Sequence, residues 1–538
     1  MSRLAINFIF LFFFMGIFGV ASVLLGQDIN WDLLQYHFYN GYAFLHHRSS
    51  LDISPAMIQT FYNPFLDVVN YLIINLLNPR LSEFLLGSFS GVSCFFLYKI
   101  ALLIFEKSSN SYIYAGYSLL IGMTGAGGIS LLNTTTNDTK MAMLCIISLY
   151  CALKALNSPL YNGTSFLDCF VAKGTPRNDV AAYNIVLSGL CSGLCLGLKL
   201  PAICYTFGLF IALVFYKKNY YTLGLFCLSV LAGFIISDGY WMFQLFQKFQ
   251  NPFFPLYNDY FHSEYAPYLS FNFYISQEPL YLYHLIFLPY FLALKNTLTT
   301  EVLMRDLRLC VLFSLLLLLI PYYLINNKTP KNINNKLAGF VLIFFIVSYF
   351  IWLTLFALYR YLIPLELLSG ILITYFLQYF FTTHKIRIIC LSFLTVIICF
   401  STIYPVWAEK QSYGNHYFSF SNIPVLPNNA TIFLTTVPLS YVIPFFQQDA
   451  RFIGLPFLTI KLKEVNSTEL AEKKYLSKVM KNFSSPHAYT LAFEKPDSFA
   501  EKSEQVLHYF GWEKAAQCKH FTDNMGHAFE LCPLRPAE

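Results

Sequence analysis

Long hydrophobic runs separated by short polar stretches repeat along the first three quarters of this 538-residue chain. A helix needs about 20 apolar residues to cross a membrane, and about eleven runs come close to that length or exceed it. They predict membrane-spanning helices at 4–26, 80–104, 110–131, 139–156, 182–198, 200–216, 219–237, 308–326, 337–356, 358–380 and 385–404. Two shorter apolar pieces, 64–77 and 281–294, predict interfacial or re-entrant helices.

The polar segments between these runs differ in length and in charge. One alternate set of short connections holds Arg3, Lys107, Lys173, Arg177, Lys217, Lys218, Lys328, Lys331, Lys336, Lys385 and Arg387. Cytoplasmic loops carry such an excess of lysine and arginine, so this set is expected in the cytoplasm. The opposite set is far longer and consists of 27–79, 238–307 and 405–538. The pattern predicts a cytoplasmic N-terminus, an extracytoplasmic C-terminus, and function on the outer face.

After residue 404 the pattern changes to alternating strand-like and helix-like runs. "ATIFLTT", "ARFIGLP", "HAYTLAF" and "HAFELC" predict strands, and residues 469–483 and 498–512 predict helices. The predicted fold is therefore an all-α polytopic membrane bundle over 1–404 with a small C-terminal α/β extracytoplasmic domain over 405–538. Cys518 and Cys532 lie in this polar tail, and outside the cytoplasm they could form a disulfide.

Composition supports a membrane protein and argues against several other classes. Hydrophobic residues make up 56% of the chain and charged residues 12%, whereas soluble domains carry about 25% charged residues. The net charge of +6 fits basic cytoplasmic loops, and no basic stripe or motif indicates a nucleic-acid partner. No cysteine or histidine spacing predicts a zinc site, and no phosphate-binding glycine loop supports a nucleotide donor.

The stretch "QDINWDLLQYHFYNGYAF" at 27–44 follows the first hydrophobic run and carries the first candidate catalytic group. As a surface helix over 31–46, it would place Asp32, Tyr36 and Tyr39 on one polar face. Partial burial would raise the pKa of Asp32 toward the working pH, which suits a general base. The alternative is that Asp32 only complements the helix dipole. The same spacing turns His37 away from Asp32, so the two are not paired.

A second outer carboxylate lies in "NTTTNDTK", directly before the fourth predicted span. Asp138 is either the N-cap of that helix or a second acid at the mouth of the same bundle. In the second case Asp32 and Asp138 could hold a divalent cation, Mg²⁺ or Mn²⁺, or divide base and electrostatic roles.

Several ionisable residues at or near the outer ends of the spans are candidates for binding the substrate, and the basic ones among them for binding a lipid phosphate. Basic side chains at that depth either snorkel to the surface or bind phosphate, and an acid within a span is a functional candidate by default. These substrate-binding candidates are Tyr36, Lys199, Arg305, Arg308, Arg360 and Glu366.

The layout resembles the GT-C superfamily of membrane glycosyltransferases, which includes protein O-mannosyltransferases and lipid A aminoarabinose transferases. Their acidic motif early in the first outer loop is similar to "DLLQY", with Leu33 in place of the second acid, and their later acidic loop is similar to "NDTK". The resemblance implies a polyprenyl-phosphate-sugar donor, Asp32 as catalytic base with inversion at the anomeric carbon, and Asp138 as an assisting group.

The expected function is transfer of a sugar to an acceptor hydroxyl of a glycan, lipid or protein in cell-envelope modification. A bacterial inner membrane is the expected location. Two other functions stay open on the sequence. One is a flippase or transporter of a lipid-linked sugar, although no internal repeat supports it. The other is a polysaccharide polymerase or ligase that uses a lipid-linked oligosaccharide.

Overall fold

The computed structural model describes residues 3–158, 176–216, 220–265, 282–326, 329–407, 409–458, 478–480, 487–495, 498–515 and 517–537. The helix expected at 469–483 lies almost entirely outside the described residues, as do the basic loop residues Lys173, Lys217, Lys218 and Lys328. The protein is a mostly helical membrane bundle with a small C-terminal sheet domain.

Each of the eleven predicted spans contains a helix. Their bounds are Arg3–Leu25, Pro79–Phe105, Ser111–Met123, Asp138–Asn157, Pro176–Leu198, Ile203–Tyr216, Tyr220–Phe234, Arg308–Asn326, Asn335–Leu355, Ile363–Phe380 and His384–Ser401. Among the described residues, eight helical stretches are long and apolar enough to cross a membrane, and three more apolar helices, Phe65–Leu76, Leu200–Tyr216 and Arg308–Tyr322, are shorter. The run 110–131 is broken: Ser111–Met123 ends, and a second helix covers Ala126–Ser130.

Shorter helices lie in the long polar segments, near one end of the bundle. They are Phe38–Leu45, Phe65–Leu76, Tyr240–Phe249, Asn258–Phe261 and Leu282–Phe291. Phe65–Leu76 and Leu282–Phe291 fall within the two apolar pieces that were predicted to be too short to span.

The two ends of the bundle are chemically different. At one end, Asn334 Nδ2 donates to Glu106 Oε1 and to Asn157 Oδ1, each at 3.1 Å, which ties three helix ends together. At the opposite end the segment after the first helix meets the C-terminal domain. The chain thus places its long polar segments together at a single end, as the sequence predicts.

The C-terminal domain is built on a mixed seven-stranded sheet. The strand order is Phe420–Ser421, Lys519–Asp523, Ala528–Pro536, Ala488–Phe493, Thr431–Leu434 and Arg451–Gly454, and Trp512–Lys514 pairs with Ala528–Pro536. Thr431–Leu434 runs parallel to both of its neighbours, and the other pairings are antiparallel. Helix Ser498–Tyr509 buries Val506 and Leu507 against this sheet, and a disulfide joins Cys518 to Cys532.

The first polar segment and the C-terminal domain form a single unit. Gln27–Asp28 pairs antiparallel with Lys410–Gln411, and Ile53 bridges to Ile453 at the sheet edge. Arg48 is 3% exposed. Its guanidinium donates to the Gln448 and Ala450 carbonyls and to Asp52. Residues far apart in the chain are therefore held in a fixed relation.

The stretch 31–46 is not the surface helix that its periodicity predicts. It begins with a π-helical turn over Leu33–His37 and continues as the α-helix Phe38–Leu45. Both faces are covered: Phe38 contacts Tyr71 on one side and Phe418 on the other. The prediction of a helix lying on a surface was wrong because residues 33–42 are buried, and Phe418 of the C-terminal domain helps to cover them.

Candidate functional site

A cavity of about 250 Å³ opens between the π-helical turn, the helix ends near residues 137, 198 and 360, and the segment 238–256. Its charged and polar lining residues are Asp32, His37, Asp67, Lys199, Asp238 and Arg360. Its apolar and aromatic lining residues include Phe61, Trp241, Leu245, Phe253, Phe254 and Leu256. Such a cavity suits a ligand with an anionic head and a hydrocarbon tail.

Asp32 is paired with Arg360 at the polar side of this cavity. Arg360 Nη1 donates to Asp32 Oδ2 at 2.9 Å, and both side chains are mostly buried. Burial alone would raise the pKa of Asp32. The Arg360 charge, with smaller effects from His37 and Lys199, outweighs burial and lowers that pKa below its ordinary value. The expected upward shift of this pKa was therefore wrong, because the sequence did not reveal the arginine partner.

Asp138 lies behind this pair and is fully buried. Lys199 Nζ donates to Asp138 Oδ1 at 2.5 Å and to the Thr136 carbonyl at 2.7 Å. Asp138 Oδ2 lies 3.9 Å from Arg360 Nε. Asp138 is the first residue of its helix, and Asn137, not Asp138, is the N-cap.

Negative and positive side chains alternate here: Asp32 contacts Arg360, and Asp138 contacts Lys199 and lies near Arg360. The Lys199 ammonium and the Arg360 guanidinium also lie over the same aromatic ring, that of Tyr361, at 5.4 and 5.5 Å from its centre. Neither cation is deeply enclosed: 16% of the Lys199 side chain and 23% of the Arg360 side chain are exposed. Both can therefore offer N–H groups to an anion in the cavity.

The divalent cation that was considered from the sequence stays a prediction. In the structure Asp32 is paired with Arg360, and Asp138 is paired with Lys199. In the part of the chain that the structure describes, the one metal-like cluster is Cys518, Glu530 and Cys532, and its two cysteines are joined in the disulfide. The positive charge at the cavity comes from side chains.

Tyr36 lines the cavity between Asp32 and the aromatic wall. Its ring lies 4.0 Å from the His37 ring and meets the Tyr62 ring edge-on at 6.0 Å. Burial, with the Asp32 charge nearby, raises the pKa of Tyr36 well above its ordinary value. The phenol is therefore a neutral hydroxyl that can donate a hydrogen bond to a ligand.

The helical irregularity at 33–37 determines which side chains share the cavity. The Phe38 amide donates to the Leu33 carbonyl, five residues earlier. Such i→i+5 bonding stacks residues five apart, whereas an α-helix would separate them. Asp32 and His37 therefore both line the cavity, although the α-helical spacing predicts that they diverge. A second π-helical turn, Ile235–Gly239, carries Asp238, which also lines the cavity.

His37 and Asp67 form a buried pair that the sequence analysis missed. His37 Nδ1 lies 2.6 Å from Asp67 Oδ1, and each residue is 2% exposed. Asp67 is in the first turn of Phe65–Leu76, which packs against Phe38–Leu45 at Gly41. The sequence signal was weak: "NPFLD" places an acid just inside a helix start, a common arrangement without any function.

Three of the predicted substrate-binding residues lie outside the cavity. Arg308, 1% exposed, donates to Asp306 at 2.7 Å and to the Ile121 carbonyl. Glu366 accepts from the amides of Gly127 and Gly128, each at 2.9 Å. Arg305 Nε donates to the Ser401 carbonyl at 2.6 Å.

Asp306 and Glu366 explain the break in the predicted span 110–131. The Ala126 amide donates to Asp306, and the next two amides donate to Glu366, so the start of Ala126–Ser130 is capped by two acids. Arg308 and Glu366 therefore stabilise helix ends within the bundle. Arg305, Arg308 and Glu366 do not line this cavity, and a substrate-binding role for them stays a prediction.

Comparisons with solved structures identify three chains of similar architecture. ArnT from Cupriavidus metallidurans bound to undecaprenyl phosphate aligns at 12% identity and a TM-score of 0.43, over 73% of this chain and 63% of that one. Apo ArnT from the same organism aligns over 98% of both chains, at 11% identity and a TM-score of 0.42. The apo oligosaccharyltransferase of Archaeoglobus fulgidus aligns at 11% identity and 0.44, over 90% of this chain and 69% of that one.

Both kinds of protein are GT-C membrane glycosyltransferases, the group that the sequence resembles. No family model matches the chain, and no curated protein matches it. With TM-scores below 0.5, these similarities transfer neither a substrate nor a residue role to this chain.

Proposed function

We propose that this protein is a membrane glycosyltransferase that moves a sugar from a polyprenyl-phosphate donor to an acceptor hydroxyl on the extracytoplasmic face. The observation that carries the proposal is the cavity itself. It combines two partly exposed cations, Lys199 and Arg360, with an aromatic wall at the end of the bundle where the long polar segments meet.

The two cations suit the phosphate of the donor. Arg360 Nε has no hydrogen-bond partner among the described residues, and each cation uses only part of its donor capacity on Asp32 or Asp138. Arginine and lysine stabilise negative charge that develops on a departing phosphate. The apolar wall around Trp241 and Phe254 offers a surface for the first prenyl units.

The reaction would proceed as one in-line displacement. The acceptor oxygen forms a bond to the anomeric carbon while the bond from that carbon to the phosphate oxygen breaks, and its electron pair leaves with the lipid phosphate. A single displacement inverts the anomeric centre. The acceptor must lose a proton, and two groups of the cavity, Asp32 and His37, are placed to accept it.

Donor binding is tested with undecaprenyl phosphate as the probe and the full-length protein in nanodiscs. A lost charge-assisted hydrogen bond is worth about 1.5–3 kcal/mol, so Arg360→Gln should weaken binding by about tenfold or more. Arg305→Gln is the matched control, since that arginine contacts the Ser401 carbonyl away from the cavity. Addition of EDTA should leave the affinity unchanged.

Transfer itself is tested by mass spectrometry of cell-envelope glycans and lipids with and without the protein. A glycan or lipid that loses one sugar when the protein is absent supports the proposal. Equal binding by wild type and Arg360→Gln would contradict the phosphate site. Movement of a lipid-linked sugar across the membrane of proteoliposomes, without formation of a glycosylated product, would favour a flippase instead. Products with a series of chain lengths would favour a polymerase.

A further inference from the structure

We propose that His37, oriented by Asp67, takes the proton from the acceptor hydroxyl, and that Asp32 positions the Arg360 guanidinium. This inference rests on the proposed transferase function and names the proton acceptor of the same site. It differs from the expectation drawn from the sequence, in which Asp32 is the base.

The geometry of the pair fixes which nitrogen is available. Asp67 is a carboxylate that accepts only, so the short contact of 2.6 Å requires the proton to lie on His37 Nδ1. Nε2 is then the basic nitrogen. It is buried and has no hydrogen-bond partner among the described residues, and His37 lines the cavity. A ligand hydroxyl in the cavity would supply the missing partner.

Asp67 is itself held in place from a second side. Asn137 Nδ2 donates to Asp67 Oδ1 at 2.9 Å, and Asn40 Nδ2 lies 3.4 Å from Asp67 Oδ2. Asn137 also lies 3.4 Å from His37 Nδ1, but the shorter contact to the carboxylate is its hydrogen bond. Lys140 Nζ donates to Asn137 Oδ1 at 3.0 Å. This arrangement keeps the carboxylate aimed at Nδ1.

The backbone supports the same assignment. Asn137 adopts a left-handed conformation, with φ of 65°, and π-helical bonding turns His37 to the cavity. Strained or irregular backbone of this kind concentrates at functional sites. The π-helical turn thus carries the imidazole, and Asn137 contacts the carboxylate that orients it.

Asp32 is poorly suited to accept the proton because Arg360 neutralises it. The hydrogen bond of 2.9 Å stabilises the carboxylate and disfavours its protonated form. Asp138 is similarly paired with Lys199 and is fully buried. Compared with Asp32 and Asp138, His37 combines a basic atom without a partner among the described residues with an orienting carboxylate.

The titratable and charged groups around His37 come from several elements. Asp32 and Tyr36 are on its own segment, and Tyr62 contacts Tyr36. Asp67 is on Phe65–Leu76, Lys140 acts through Asn137, and Arg360 lies beyond Asp32. Asp67 and Tyr36 contact the His37 ring directly. They place one negative charge and one neutral hydroxyl beside it.

In the proposed step the acceptor O–H bond breaks, and its proton passes to Nε2. The oxygen electron pair forms the new bond to the anomeric carbon, and the carbon–phosphate-oxygen bond breaks with its pair moving to the lipid phosphate. The imidazolium, stabilised by Asp67, then releases the proton to water. The net products are the glycoside, the lipid phosphate with one additional negative charge, and one proton.

The test uses three variants of the full-length protein and one control. His37→Asn keeps a side-chain N–H near the position of Nδ1 but has no atom at Nε2, and Asp67→Asn removes the orienting charge. Asp32→Asn shows whether Asp32 or His37 is the base. His46→Asn is the control, because His46 is an exposed histidine nine residues further along, outside the cavity.

Initial rates of the envelope product are measured in isolated membranes between about pH 5 and 9, together with inhibition by undecaprenyl phosphate. His37→Asn should lower the maximal rate by about 10²–10⁴-fold and remove the fall in rate on the acid side. Inhibition by undecaprenyl phosphate should change less than about threefold. Asp67→Asn should lower the rate and move the acid side of the profile to lower pH.

Asp32→Asn should behave differently: it should weaken inhibition by undecaprenyl phosphate and leave the acid side of the profile in place. If His37→Asn instead keeps more than a tenth of the wild-type rate, or keeps the acid side, His37 is not the base. If wild type itself neither makes an envelope product nor binds undecaprenyl phosphate, it is the proposed function that fails. A misfolded variant is recognised by loss of undecaprenyl phosphate binding, and Asp67→Asn then supplies the test.

Discussion

At the scale of single residues, the arginines show how the same side chain serves two purposes in one bundle. Arg360 is partly exposed at a cavity, with one nitrogen free of partners among the described residues. Arg308 is enclosed, and its guanidinium contacts Asp306, Thr402, Thr124 and the Ile121 carbonyl. A lipid phosphate can reach the first and not the second. Burial and saturation of donors, not residue type or depth in the membrane, distinguish a binding residue from a structural one.

Arg308→Met should therefore destabilise the protein without affecting the cavity. The change leaves Asp306, which is 1% exposed, with an uncompensated charge, and breaking such a buried pair costs about 3–5 kcal/mol. The midpoint of thermal unfolding in detergent should fall clearly, and the folded fraction should still bind undecaprenyl phosphate. Arg305→Met should lower the midpoint much less. Equal midpoints for the two variants would contradict the structural role of Arg308.

At the scale of elements, most helices followed from hydrophobic periodicity alone. Each predicted span contains a helix because apolar runs in a membrane must satisfy their own backbone hydrogen bonds. The sequence analysis also named four cavity residues, Asp32, Tyr36, Lys199 and Arg360. This was possible because few ionisable or polar residues lie at the ends of the predicted spans.

The failures have a common physical cause in contacts between distant parts of the chain. The predicted direction of the His37 side chain was wrong because the rotation per residue about the helix axis is smaller in a π-helical turn than in the α-helix that was assumed. The break near Gly125 depends on Asp306 and Glu366, roughly 180 and 240 residues away in sequence. The lowered pKa of Asp32 depends on Arg360, 328 residues away. A local sequence pattern contains no information about partners that lie hundreds of residues away.

The packing of Phe38–Leu45 on Phe65–Leu76 provides a prediction at this scale. A Cβ at Gly41 would lie 2.3 Å from the Asp67 carbonyl oxygen, so Gly41→Ala should force the two helices apart. Overpacking of this kind costs about 1–3 kcal/mol, and it should displace Asp67 from His37. Both the unfolding midpoint and the transfer rate should fall.

Gly116→Ala is the matched control, because a Cβ there would meet nothing within 4 Å. In a helix interior, alanine is favoured over glycine by about 0.5–1 kcal/mol. The control should therefore raise the midpoint slightly, and the two variants should shift it in opposite directions. A Gly41→Ala protein with wild-type midpoint and rate would show that the helices have room to adjust.

At the scale of the whole molecule, the C-terminal domain is part of the site's construction. Its aromatic residues cover the segment that carries Asp32 and His37, as Phe418 does on Phe38. Arg48 holds the same segment to the Gln448 and Ala450 carbonyls. The domain therefore helps to fix the position of the cavity wall, although none of its described residues carries a charged group in the cavity lining.

Arg48→Met should release this connection. The variant leaves Asp52 buried without its cation; burial already raises the pKa of Asp52 against the opposing effect of Arg48. Limited proteolysis of the full-length protein should cut the region 402–430 faster than in wild type, and transfer should decrease. Arg80→Met is the control, since Arg80 is exposed over the Tyr413 ring. Unchanged cleavage in Arg48→Met would show that other contacts hold the domain.

The pairing of Gln27–Asp28 with Lys410–Gln411 has a consequence for the making of the protein. Ribosomes deliver the first of these strands nearly 400 residues before the second, so the bundle can insert before the two strands pair. On the proposed function, a newly made chain would stay inactive until the C-terminal domain has folded against the first polar segment. The order of synthesis would thus set the moment at which transfer can begin.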